Sequence, residues 1–182
     1  LRLLEAVRAD CAHCFKKTEN DADLSHSCPA CSAVGYCSAE CQAAAAGLHE
    51  RECASVAAVV RMTAGKADSR GARMLIRALA QRSLDLEGGP PAADRTVFSD
   101  IEMLEDHLND IPPPKQKEFL SIAAGVGGLP VAAGVGKVEL VRLVAALRCN
   151  SQGLVDVENQ RRGDVLIAPA DFNHSWSVLC LD

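Results

Sequence analysis

Residues 11–53 read CAHCFKKTENDADLSHSCPACSAVGYCSAECQAAAAGLHEREC. Seven cysteines and one histidine fall there in four close pairs: Cys11 with Cys14, Cys28 with Cys31, Cys37 with Cys41, and His49 with Cys53. The first two pairs are C-x2-C, the third is C-x3-C and the fourth is H-x3-C. A C-x2-C turn lets two thiolates reach one ion from a tight loop. A three-residue gap on a helix puts two ligands one turn apart on one face. Zinc takes four such ligands at tetrahedral angles, so the four pairs supply two ions without remainder. With every position filled, the metal is a folding element and not a catalyst. Each such ion contributes about 10–16 kcal/mol of apparent binding free energy, which a short module with little core requires. His13 and His26 lie nearby, but with eight ligands already present they read as surface residues. Spacing leaves open whether the pairs combine sequentially or interleave.

Around this array the chain has 182 residues, room for one ordinary domain and a small one. Apolar residues make up 48% and mean hydropathy is +0.05, so a packed core is expected. Aromatics are only 3%, so that core must be built from Ala, Val and Leu. No run of 18 apolar residues exists, which argues against a membrane span. The opening LRLLEAVRAD carries charge throughout and does not read as a signal peptide. It also lacks an initiator Met, and the chain reads as a piece of a longer protein or an incomplete gene model. Seven of nine cysteines sit at ligand spacing before residue 54, leaving Cys149 and Cys180 elsewhere. That pattern favours zinc and a reducing compartment, the cytoplasm or nucleus.

The formal net charge is −5, and seven zinc-bound thiolates with two Zn2+ take it to −8. Such a chain has no general electrostatic reason to bind nucleic acid or a membrane surface. Residues 61–82 are nonetheless basic (Arg61, Lys66, Arg70, Arg73, Arg77, Arg82) and residues 85–110 acidic. The simpler reading is a solvated helix face followed by an acidic loop.

Ser38 is a natural N-cap for a short helix over residues 39–46, ending near Gly47. A second helix is expected from His49 to about Met62. Residues 70–84 place Ala72, Leu75, Ile76 and Leu79 on one stripe with arginines opposite. Gly88-Gly89-Pro90-Pro91 reads as a loop. Ser99 with Glu102 forms a capping box for a helix over residues 99–109, which the proline run 112–114 breaks. Residues 115–124 are helical again, and 125–136 form a glycine-rich connection. Residues 137–148 are the clearest amphipathic helix, with Leu140, Leu143, Val144 and Leu147 on one face. Residues 153–158 and 164–168 have strand composition. The expected fold class is α+β: a zinc-stabilised finger, a helical middle, and the start of a β-rich region.

The full pattern C-x2-C-x13-C-x2-C-x4-YC-x3-C-x7-H-x3-C closely resembles the MYND zinc finger, above all in Tyr36-Cys37-Ser38-x-x-Cys41 and His49-x3-Cys53. A RING finger would end in C-x2-C. The MYND resemblance implies interleaved pairing: Cys11, Cys14, Cys37 and Cys41 on one zinc, and Cys28, Cys31, His49 and Cys53 on the other. It also implies a dock for partner peptides, often proline-containing.

A second resemblance follows from order. Cys149-Asn150-Ser151 closes a helix, strand-like sequence follows, and Asn173-His174-Ser175 comes about 20 residues later. The chain is similar in this respect to the SET-and-MYND protein-lysine methyltransferases, in which a split SET domain holds the finger and a helical insert. The resemblance implies a remnant at 1–10, the finger at 11–53, the insert at 54–148 and a partial SET region at 149–182. Asn150, Asn173 and His174 would then contact S-adenosylmethionine, and the substrate would be a lysine-bearing protein. The same residues also read as a helix C-cap and a turn before a strand. Several departures stand out. Trp176 occupies the place of a further zinc-binding cysteine, and Gln152 that of a phenylalanine. The glycine motif before the finger is missing, and Tyr36 is the chain's one tyrosine, so the downstream tyrosine is missing too. Gly134-Val135-Gly136 falls inside the insert and reads as a loop. No catalytic residue is assigned. The expected function is that of an incomplete or diverged relative of these methyltransferases; the alternative is a non-catalytic MYND adaptor.

Overall fold

The computed structural model describes residues 11–14, 24–63, 70–88, 98–155 and 161–166. The chain divides into two compact units, Leu1–Ser69 and Arg70–Asp182.

In the first unit, β1 (His26–Ser27) and β2 (Gly35–Tyr36) form a small antiparallel pair, with His26 opposite Tyr36 and Ser27 opposite Gly35. Gly35 lies in close approach: a Cβ there would lie 3.0 Å from two Leu24 carbons, so the Leu24 side chain would have to shift. The helix α1 (Ala39–Thr63) follows. Ser38 caps it as expected, its Oγ accepting from the Cys41 N–H at 3.2 Å and its carbonyl from Gln42 N–H at 3.1 Å. The expected break near Gly47 does not occur. A mid-helix glycine costs only about 1 kcal/mol relative to alanine, and ligands lie on both sides of it, Cys41 before and His49 and Cys53 after. Among its described residues the unit buries few large apolar groups: Leu24, Val34, Tyr36, Val56 and Val59, among smaller ones.

The second unit is mostly helical. It contains α2 (Arg70–Leu86), α3 (Phe98–Glu102), α4 (Pro113–Gly127), a 3-10 turn (Pro130–Ala132) and α5 (Lys137–Asn150). The expected stripes form its core. Leu75, Ile76 and Leu79 of α2 are buried, as are Leu140, Leu143, Val144 and Leu147 of α5, while Ala72 is half-buried. Phe119, Ala123 and Val126 of α4 join them. Gly71 lets α2 approach α4, since a Cβ there would meet Ile122 Cδ1 at 2.7 Å. Arg82 does not lie on a free basic face. Its Nη1 pairs with Glu139 Oε1 at 2.9 Å and its guanidinium sits 5.4 Å from the Phe98 ring centre.

The helix expected over 99–109 is shorter, ending at Glu102. Its cap is not Ser99. The Phe98 N–H donates to Asp85 Oδ2 at 2.7 Å, so a carboxylate on α2 satisfies the helix start from outside. The prolines do more than break the chain. Pro112 is the N-cap of α4, and Pro113 and Pro114 fill its first positions, where a missing N–H costs nothing. Gln116 Nε2 then donates to the carbonyls of Leu108 (3.3 Å) and Ile111 (2.8 Å), tying the preceding loop to the helix.

After α5 the backbone turns extended at Ser151 and runs directly into β3 (Ser151–Val155), paired antiparallel with β4 (Arg161–Leu166). The register sets Ser151 opposite Leu166 and Leu154 opposite Gly163, with an irregularity between Leu154 and Val155. Both strands begin a few residues before the stretches expected. Of the expected β-rich region, the described residues show one two-stranded sheet, and residues 167–182 lie outside the description.

Candidate metal centres

The interleaving of the ligand pairs follows from the first unit's local structure. The Cys28–Cys31 pair sits in the loop between β1 and β2. The Cys28 N–H donates to Val34 O (3.1 Å), and the Ser32 N–H returns to Cys28 O (2.9 Å). Ser32 takes a left-handed φ of 53° to close this knuckle. The Ala12 N–H donates to Gly35 O (2.9 Å), which brings the first knuckle beside the end of β2. Cys37 leaves β2 there, and Cys41 stands in the first turn of α1. His49 and Cys53 lie about 12–18 Å further along that helix at 1.5 Å per residue, and meet Cys28 and Cys31. The unbroken α1 is thus the rod that spaces the two centres.

Two four-ligand clusters result. One holds Cys11, Cys14, Cys37 and Cys41, the other Cys28, Cys31, His49 and Cys53, and within each the ligand atoms lie within 4.8 Å of one another. This is the interleaved partition. His13 is exposed and His26 half-buried, and neither belongs to a cluster.

The spacing fits zinc. With Zn–S bonds of about 2.3 Å at tetrahedral angles, neighbouring sulfurs should lie about 3.8 Å apart. The Sγ–Sγ distances are 3.6 Å for Cys14–Cys37, 3.6 Å for Cys37–Cys41 and 3.7 Å for Cys28–Cys53. Cys31 Sγ lies 3.7 Å from His49 Nε2. A disulfide would need about 2.05 Å, and the eight described cysteines are all unbridged.

Electrostatics point the same way. Four sulfurs this close cannot all lose their protons without a cation among them. Burial opposes ionisation of Cys11, yet hydrogen bonds from the backbone at Cys14, Cys37 and His13 overcome it and hold its thiol down to about 6. The sulfurs of Cys14 and Cys41 in turn push Cys37 up to about 12. In the second cluster, Cys31 and then Glu52 raise His49 to about 10. Zinc supplies the missing charge and displaces these protons.

The centres differ in their surroundings. Cys14 of the first is exposed. In the second, His49 Nδ1 lies 3.3 Å from Glu52 Oε1, and the buried Tyr36 packs edge-on to the imidazole with ring centres 6.3 Å apart. Sequence reasoning missed Glu52. Its one signal is the three-residue interval from His49, which puts both on one helix face.

Of the residues expected at a cofactor, Asn150 lies in the last turn of α5. Its amide donates to Ala146 O (2.8 Å) and Glu105 O (3.1 Å), so its nitrogen serves the helix end and the adjoining loop. Asn173 and His174 lie outside the described residues, as do Trp176, Cys180, residues 1–10 and Gly89-Pro90-Pro91. Among the described residues no helix is long and apolar enough to cross a membrane.

Residues 11–53 match the family model of the MYND finger. The match covers the whole ligand array and less than a quarter of the chain. No curated protein matches the chain. Residues 11–53 are therefore a zinc-binding MYND finger, a protein–protein interaction module, followed by a mostly helical region.

Proposed function

We propose that this chain is an adaptor whose finger docks proline-containing segments of partner proteins. The observation that carries this reading is that both clusters have four protein ligands. Neither zinc keeps an open position for water or substrate, so the metal builds a surface and does no chemistry. Proline-containing peptides suit such a surface because their extended conformation is already fixed, and little entropy is lost on docking. Zinc thiolates of this kind suit the reducing cytoplasm or nucleus. The test is an NMR titration of the zinc-loaded chain with a short synthetic proline-rich peptide. Shifts confined to finger amides, and lost after chelation, are expected. Unmoved finger amides at millimolar peptide would sink the proposal.

A second reading, a diverged protein-lysine methyltransferase, is favoured by one observation. Cys149-Asn150-Ser151 falls where α5 gives way to an antiparallel strand pair. In that reading Asn150, Asn173 and His174 contact S-adenosylmethionine and the substrate is a lysine-bearing protein. Calorimetric titration of the chain with S-adenosylmethionine separates the two. Saturable heat at one site per chain favours the enzyme, and none favours the adaptor.

A further inference from the structure

We propose that Glu52 is a positioning residue of the second zinc centre, holding His49 so that Nδ1–H points at the carboxylate and Nε2 at the metal. Three observations converge on it. Glu52 is only 2% exposed, and an unpaired carboxylate is costly to bury, so it must be held by specific partners. Its Oε1 lies 3.3 Å from His49 Nδ1, while the ring's other nitrogen lies 3.7 Å from Cys31 Sγ, inside the ligand cluster. The two imidazole nitrogens therefore have separate tasks. Tyr36, buried at 2% exposure, meets the ring edge-on at 76° and limits its rotation.

The chemistry explains why a carboxylate is useful here. A metal-bound imidazole is a weaker donor than a thiolate. A carboxylate accepting the distal N–H fixes the tautomer and raises the basicity of the ligating nitrogen. Charge follows the same logic. Three thiolates and Zn2+ leave the second cluster formally at −1, and Glu52 brings it to the −2 of the four-cysteine cluster. The first centre contains no histidine and has no need of such a group. This inference rests on zinc occupying the second cluster and is independent of peptide docking.

The test uses the full 182-residue chain and the variants Glu52→Ala, Glu52→Gln and Glu50→Gln, the last an exposed neighbour on the same helix. Zinc affinity is read by competition with a chromophoric chelator, which resolves two sites. Glu52→Ala is expected to weaken one site about 10–100-fold and spare the other. Glu52→Gln, which keeps an acceptor oxygen, should lose less, and Glu50→Gln nothing. At saturating zinc, 15N NMR of His49 should show an Nδ1-protonated, Nε2-ligated ring in the parent. In Glu52→Ala the Nδ1 proton should exchange faster with water. Affinities within twofold of the parent, with the same Nδ1 proton signal, would overturn the proposal. So would equal weakening of both sites with loss of helix content, which would make Glu52 a residue of the fold alone.

Discussion

Among the described residues, the largest fully buried side chains of residues 11–63 are Glu52, Val34, Val56, Cys11 and Ser55, whereas those of residues 70–150 are Leu75, Ile76, Leu79, Val126 and Val144. The finger buries polar and metal-binding groups among a few apolar ones; the helical unit buries mainly hydrocarbon, with Gln81 and Ser151 as polar exceptions. The difference follows from size. A module this small cannot remove enough apolar surface from water to offset the entropy of ordering its loops. Two zinc ions supplement a small core, and Glu52 is buried against the ligand His49. The helical unit is large enough to do without metal. Heat, chelators, acid and mutation should therefore act on the two regions in different ways.

The sharpest way to break this contrast is to remove the zinc. About 10–16 kcal/mol of apparent stabilisation leaves with each ion. Treatment with a strong chelator should collapse the amide spectrum of residues 24–63 and leave that of residues 98–150 dispersed. Collapse of both, or of neither, would contradict the division.

Single ligands give a smaller version of the same test. Cys53→Ser should lower zinc from two ions per chain to one, read by elemental analysis, because the first centre shares no ligand with the second. Cys149→Ser should leave both ions in place. That thiol is buried in the helical unit, where it donates to Asp106 O at 3.9 Å. Two ions retained in Cys53→Ser would mean that Cys53 is not a required ligand.

The converse substitution probes the hydrocarbon core. Leu75 is fully buried, so Leu75→Ala should cost about 2–5 kcal/mol. The loss should register in denaturant unfolding of the helical unit, with zinc content unchanged. A loss of zinc in this variant would show that the two regions do not stand independently.

What could be read in advance divides along the same line. All eight ligands were legible because metal binding is written in local spacing, and their partition came through the resemblance. The α5 stripe was legible because a buried helix face repeats every 3.6 residues. Glu52 was not, because a glutamate between Arg51 and Cys53 reads as surface until the position of His49 is known. Gly47 misled for the opposite reason. Its local preference for ending a helix is small beside the constraint of ligands on both sides. The start of α3 was hidden too, since its cap comes from Asp85, thirteen residues back on another helix. The strand pair after α5 was legible from composition in Leu154, Val155, Val165 and Leu166, but composition did not fix its register.

The smallest expected effect lies on the surface of the helical unit, where charge should matter least. Asp106 Oδ2 accepts from Arg142 Nε at 2.8 Å, with side-chain exposures of 23% and 64%. The Arg142 guanidinium first, and the Leu108 N–H after it, hold the Asp106 carboxyl below its ordinary value. A lowered folded value means that the pair contributes above the unfolded pKa of about 3.9, and that the contribution fades as pH falls through the folded value. Because Arg142 is exposed and Asp106 partly so, the contribution at neutral pH should be below about 1 kcal/mol, and salt should reduce it. Arg142→Gln removes the guanidinium and leaves the Leu108 N–H, so Asp106 should titrate closer to an ordinary carboxylate without reaching it. The 13C resonance of the Asp106 carboxyl, followed against pH in parent and variant, measures this directly. An unchanged midpoint would mean that the Leu108 N–H alone holds the carboxylate. A destabilisation of several kcal/mol would mean that surface charge supports the helical unit as strongly as hydrocarbon, and the contrast with the finger would lose its basis.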